Sequence, residues 1–270
     1  MTARPAPSAG KSEAMLIISY GIPKSGSTLA YELVRGMLAN AGFAQEFARD
    51  GEATATPPRR GAKRNFVPRL TREKIEELVE TIGPNRRIAI KTHDDFDPAM
   101  FGWLEDLQQR GDIQVIASYR DPRDICLSLL DAAERARARE DGPKAFSHVQ
   151  DLEHATEKVG RRLEEFRRWA ALKGTLRIDY EELAFDTGKV IDKLERTLGI
   201  VCNREQVLRY AFSEALTQKN KAKPRRHEEE LDDAQKKIMR RAFRAFLRNA
   251  CEEDNQEWFD TYREKMLRSV

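Results

Sequence analysis

Eight residues near the start of the chain, Gly21-Ile-Pro-Lys-Ser-Gly-Ser-Thr28, have the types and spacing of a loop that holds a phosphate-like anion. Its two glycines let backbone N–H groups turn inward, and Lys24 puts an ammonium within the turn. An apolar, β-prone run, Met15-Leu-Ile-Ile-Ser-Tyr20, precedes the loop. Leu29, Leu33, Val34, Met37 and Leu38 follow it at helical spacing. Strand, loop and helix in that order also bring the positive end of a helix to the anion. The Walker pattern asks for lysine immediately before its final Ser or Thr. Here Ser27 stands in that slot, Thr28 closes the motif, and Lys24 supplies the charge from inside the loop. A triphosphatase without that lysine loses its grip on the β- and γ-phosphates. The loop is therefore expected to hold something other than ATP with magnesium.

Three more strand-like runs end in polar groups. Ile88-Ala-Ile90 leads into Lys91-Thr92-His93, Ile113–Tyr119 into Arg120, and Leu176-Arg-Ile178 into Tyr180. Imidazole titrates near neutral pH and suits proton transfer, so His93 is a candidate base. The competing reading pairs it with Asp94 or Asp95. Arg120 can make paired hydrogen bonds to a phosphate, and Ser128 can present a hydroxyl from the following helix. The plainer role for Arg120 is an ion pair with Asp124. Tyr180 reads equally as a half-buried anchor, and Arg135, Arg137 and Arg139 as a solvated helical face.

The elements that must position these groups alternate strand with helix, which implies an α/β fold with a parallel sheet wound by helices on both faces. Thr71 caps a helix carrying Ile75, Leu78, Val79 and Ile82, stopped by Gly83-Pro84. A helix around 98–109, one opened by Pro122, a long one over 148–172 and one over 190–198 complete the series. The C-terminal third is helical and charged. In such sheets ligands bind beyond the carboxyl ends of the strands, where all four polar endings converge. Residues 1–14, rich in Ala, Pro, Ser and Gly, read as a disordered tail, and 15–270 as one domain. The stretch 44–70 has no periodicity and holds the basic run Arg59–Arg64, so it reads either as a mobile insert near the site or, equally, as a solvated surface loop with no role.

The totals exclude several classes. The chain has 270 residues, enough for one generous α/β domain. Lys and Arg number 48 against 45 Asp and Glu, a net +3 that gives no reason to expect nucleic acid. No apolar run reaches the length of a membrane span. Cys126, Cys202 and Cys251 are scattered and odd in number, which suits the reducing cytoplasm and forms no metal site.

Taken in order, the motifs resemble the sulfotransferases that use 3′-phosphoadenosine-5′-phosphosulfate (PAPS). Pro23-Lys24-Ser25-Gly26-Ser27-Thr28 resembles their 5′-phosphosulfate loop. Tyr119-Arg120-Asp121-Pro122-Arg123-Asp124 followed by Ser128 resembles their 3′-phosphate element. Lys91-Thr92-His93 is similar to their lysine and catalytic histidine, and Tyr180-Glu181-Glu182-Leu183 to a tyrosine-acid segment after a later strand. The resemblance implies a P-loop-like fold, PAPS as co-substrate and no metal. It implies His93 as base, Lys24 on the leaving group and Lys91 on the sulfuryl oxygens. Lys24 through Thr28, Arg120, Ser128 and Tyr180 would hold the donor. Phe212 would stand in for an adenine-stacking tryptophan that Leu29 replaces, and Arg225 and Arg226 in Lys223-Pro-Arg-Arg-His227 would close over the 3′-phosphate. The acceptor would be a small molecule or glycan with a hydroxyl or amine, and the Arg59–Arg64 run hints at an anionic one.

Two other classes fit parts of the pattern. A P-loop kinase acting on a small molecule needs a lysine at position 27 and a magnesium-binding aspartate after a strand, for which Asp179 is the candidate. A nucleotide-binding module without catalysis has no use for Lys24, Lys91 and His93 together.

Overall fold

In the computed structural model of the chain, residues 14–45, 65–138, 146–215 and 223–268 are described. Residues 1–13 of the tail expected over 1–14, and 46–64 of the insert expected over 44–70, lie outside them.

Strands β1 (Met15–Gly21), β2 (Arg87–Thr92), β3 (Ile113–Tyr119) and β4 (Leu176–Asp179) form one parallel sheet in the order β2-β1-β3-β4. The chain steps from β1 to β2 and then crosses β1 to reach β3. This reversal makes a topological switch at the carboxyl end of β1, where connections diverge and leave a crevice. Because all four strands are parallel, all four polar endings meet on that one edge.

The helices are α1 (Ser27–Asn40), α2 (Arg72–Ile82), α3 (Phe101–Arg110), α4 (Pro122–Arg137), α5 (Leu152–Ala171), α6 (Tyr180–Phe185), α7 (Thr187–Leu198), α8 (Arg204–Arg209), α9 (Arg226–Glu230), α10 (Asp233–Ala242), α11 (Arg244–Phe246) and α12 (Gln256–Arg268). They cover both faces of the sheet. Alternation along β1 sends Leu16, Ile18 and Tyr20 into a core shared with α2, α3, α4, α5 and the C-terminal helices. Ile17 faces the other way, into a second core with Ala89, Ile116, Ile178 and the apolar faces of α1 and α7.

The local signals act as expected at several ends. Thr71 Oγ1 accepts from Lys74 N and starts α2, and Gly83 stops it at φ 69°. Pro122 occupies the first turn of α4, and Asp121 accepts from Arg123 N. Helix α5 begins at Leu152, later than periodicity implies, because Asp151 caps it by accepting from His154 N. Both described ends of the insert are held beside β2. Gln45 is buried, donating to Arg87 O at 2.8 Å and accepting from Ala89 N at 3.1 Å. Asn65 donates to Ala89 O, and Asn65 to Val67 exchange backbone bonds with Lys91. No helix among the described residues is long and apolar enough to cross a membrane.

Candidate active site

The loop after β1 is tightly packed where glycine is required. A Cβ on Gly21 would lie 2.3 Å from Ser118 Oγ and 2.5 Å from Ser27 Cβ, so any side chain would push β3 and α1 apart. Gly26, at φ 84°, is the left-handed residue that opens α1, and a Cβ there would meet the Tyr180 ring at 2.6 Å. Lys24 is also left-handed, at φ 76°, a strained conformation for a lysine. Burial lowers its pKa, aided by the charges of Arg135 and Arg120 against the opposing carboxylate of Asp131. Arg135, read from the sequence as solvated, thus lies close enough to act on Lys24.

Ser25 serves the loop itself. It is fully buried, its hydroxyl donates to Ser118 O at 3.2 Å, and its N–H closes a turn onto Ile22 O at 3.0 Å. Ser27 is buried against Gly21 in the slot that a Walker loop gives to lysine. The magnesium candidate of a kinase is also engaged: Asp179 caps α6 by accepting from Glu181 N and Glu182 N.

Parallel register brings β2's end to the loop. Tyr20 stands beside Thr92, so the next residue, His93, arrives level with Gly21. Its Nδ1 lies 2.5 Å from Gly21 O. Burial, then the charge of Lys91, bring the imidazole down to about 4 despite that bond. Asp94 and Asp95 do not pair with the ring: Asp94 accepts from Leu70 N, and Asp95 pairs with Arg168. Lys91 Nζ donates to Thr28 Oγ1 at 2.7 Å, joining β2 to the first turn of α1. Arg162 of α5 donates to His93 O at 3.0 Å, and the Phe66 ring lies 5.8 Å from the imidazole. Neither residue carries a local sequence signal for this position.

A second cluster lies where β3 ends. Arg120 is nearly buried; its Nη2 donates to Asp124 at 2.9 Å and to Lys223 O at 3.1 Å. The ion pair with Asp124 is therefore present. The guanidinium also stacks on Tyr180, 4.1 Å from the ring centroid, so Tyr180 touches both the loop at Gly26 and Arg120. Arg120 Nε is buried and has no partner among the described residues. Ser128 is buried two turns along α4.

The segment around Lys223 packs onto this cluster. Arg226 is buried, its guanidinium taken up by Asp131 at 2.9 Å and Glu230 at 2.7 Å, whereas Arg225 stays exposed. Phe212 is half-buried on the α1 side of the sheet, packed against the same core as Leu29. His227 and Asp124, whose pairing no sequence signal pointed to, are bonded to each other across the fold.

These features define a class: a parallel α/β sheet whose first strand–loop–helix unit has the form of an anion cradle, with an imidazole and an ammonium at one rim and a guanidinium at the other. The chain belongs to the sulfotransferase domain family, whose model matches residues 13–269. No curated protein matches it. Among solved structures, the mouse sulfotransferase SULT7A1 complexed with PAP superposes with a TM-score of 0.55 at 18% identity, over 93% of this chain and 89% of that one. Retinol dehydratase in complex with androsterone and the inactive cofactor PAP gives 0.48 at 14% identity, over 88% of this chain and 82% of the other.

Proposed function

We propose that the protein transfers a sulfuryl group from PAPS to a hydroxyl or amine of a small-molecule or glycan acceptor, in the cytoplasm. The residues fit a nucleotide with two separated anionic ends. Lys24, Gly26 and the N–H groups opening α1 suit the 5′ end. Arg120, whose buried Nε lacks a partner among the described residues, suits the 3′-phosphate, with Ser128 of α4 and the exposed Arg225 as further candidates to hold it. Tyr180 ties the two ends together, and Phe212 is offered to the adenine.

Bound PAPS supplies an activated sulfuryl group on a phosphate leaving group. Lys24 meets the charge that develops on the leaving oxygen, a task a metal performs in ATP enzymes. Its lowered pKa marks an ammonium already short of solvent, which a bound anion would stabilise. Lys91, held on Thr28, places positive charge at the sulfuryl oxygens. His93 takes the acceptor's proton at Nε2.

The observation that carries this reading is the bond from His93 Nδ1 to Gly21 O, which holds the imidazole at the mouth of the anion loop. Incubation with radiolabelled PAPS and a panel of alcohols, phenols, sugars and amines tests it. Label should pass to at least one acceptor with wild-type protein and to none with His93→Ala. Equal transfer by the two proteins would overturn the assignment.

A further inference from the structure

Resting on that donor assignment, we propose that His227 is a positioning residue for the 3′-phosphate site: through Asp124 it sets the Arg120 guanidinium and docks the segment that carries Arg225. Asp124 is 1% exposed, His227 5% and Arg120 6%, so the three groups form a dry cluster. Asp124 Oδ1 accepts twice from His227, from the backbone N at 2.9 Å and from Nδ1 at 2.8 Å. Its Oδ2 accepts from Arg120 Nη2 at 2.9 Å. Burial raises the pKa of this carboxyl, but the His227 hydrogen bonds and the Arg120 charge outweigh it and hold the group at about 2. The carboxylate is therefore charged and fully engaged whenever the protein is folded near neutral pH.

Two chain segments far apart in sequence thus share one buried anion. The C-terminal segment touches the pair at two points, Lys223 O on Arg120 and His227 on Asp124. With Nη2 held by Asp124 and Lys223 O and one face covered by Tyr180, the guanidinium keeps a single orientation, its Nε edge without a protein partner among the described residues. Removing the Nδ1–H leaves Asp124 short of a donor. The carboxylate then draws further on Arg120, and a fork meant for a phosphate is turned toward it. Arg226 contributes to this docking through Asp131 of α4.

The test uses three variants and two nucleotides. In His227→Asn the amide NH2 takes the place of Nδ1–H. In His227→Gln the amide sits one bond further out, and in His227→Leu the donor is gone. Calorimetry would measure 3′,5′-adenosine bisphosphate and 5′-AMP, which lacks the 3′-phosphate. The Leu and Gln variants should bind the bisphosphate about tenfold more weakly, a loss of about 1.4 kcal/mol, with 5′-AMP almost unchanged. The Asn variant should stay near wild type for both. If the Leu variant fails to fold, the contrast between Gln and Asn decides. Equal losses for both nucleotides, or equal behaviour of Asn and Gln, would overturn the positioning role. A wild-type protein with no preference for the bisphosphate would instead overturn the donor assignment beneath it.

Discussion

The Nδ1 of His93 and the carbonyl oxygen of Gly21 lie 2.5 Å apart. A carbonyl can only accept, so Nδ1 carries a proton, and in the neutral ring that burial and Lys91 favour Nε2 presents its lone pair. A strand-end residue and the first glycine of the anion loop together fix the tautomer that a general base requires.

Substituting His93 by Ala removes that lone pair without touching the anion loop's side chains. Turnover should fall by a factor of about 100 or more, while the dissociation constant for 3′,5′-adenosine bisphosphate stays within a few-fold. Steady-state kinetics and calorimetry on the same preparation check both halves. Unimpaired turnover would remove His93 from the mechanism.

The pH dependence follows from burial and Lys91, which hold His93 at about 4. The neutral imidazole is the competent form, and protonation on acidification abolishes it. The acid limb of kcat/KM against pH, which reports the free enzyme, should therefore fall near pH 4. An unperturbed histidine would place it near 6.5. A limb at the ordinary position would show that the imidazole is solvated in the working enzyme.

Lys24 and Arg120 should separate kinetically. Lys24→Ala should weaken the donor and slow transfer together, since its charge acts on both the ground state and the departing oxygen. Arg120→Ala should mainly raise the donor's dissociation constant, by roughly 2–4 kcal/mol for one side of a buried charge pair. Full donor titrations of both variants give the split; a purely catalytic defect in Arg120→Ala would contradict its place at the ribose end.

Gly26→Ala should fail twice over. Its φ of 84° disfavours any side chain, and the new methyl would strike Tyr180 at 2.6 Å. The strain of about 1 kcal/mol plus displacement of the ring should lower the melting temperature and loosen donor binding in one variant. Wild-type melting and binding would mean that Tyr180 does not rest on the loop.

Much of this architecture was legible in the residues. The strands show as apolar runs because a parallel sheet buried on both faces leaves no room for alternation, and Ile113–Tyr119 appears with the same bounds in sequence and structure. Short helices were harder. Helix α6 spans only Tyr180–Phe185, too short for a period, and its start depends on the Asp179 side chain. The individual site residues could be picked by type and position, and the pair Arg120–Asp124 by its helical spacing. The contacts that orient them could not. Ser25 on Ser118, Lys91 on Thr28 and His227 on Asp124 join residues 93, 63 and 103 positions apart, and no local pattern encodes such pairings.

Calorimetric titration of the wild-type protein with 3′,5′-adenosine bisphosphate, without and with magnesium, against ATP with magnesium tests the central claim most directly. The bisphosphate should bind at least about tenfold more tightly than ATP, and magnesium should leave its affinity unchanged. Tighter binding of ATP that depends on the metal would contradict a loop whose charge comes from Lys24 and a ribose end held by Arg120.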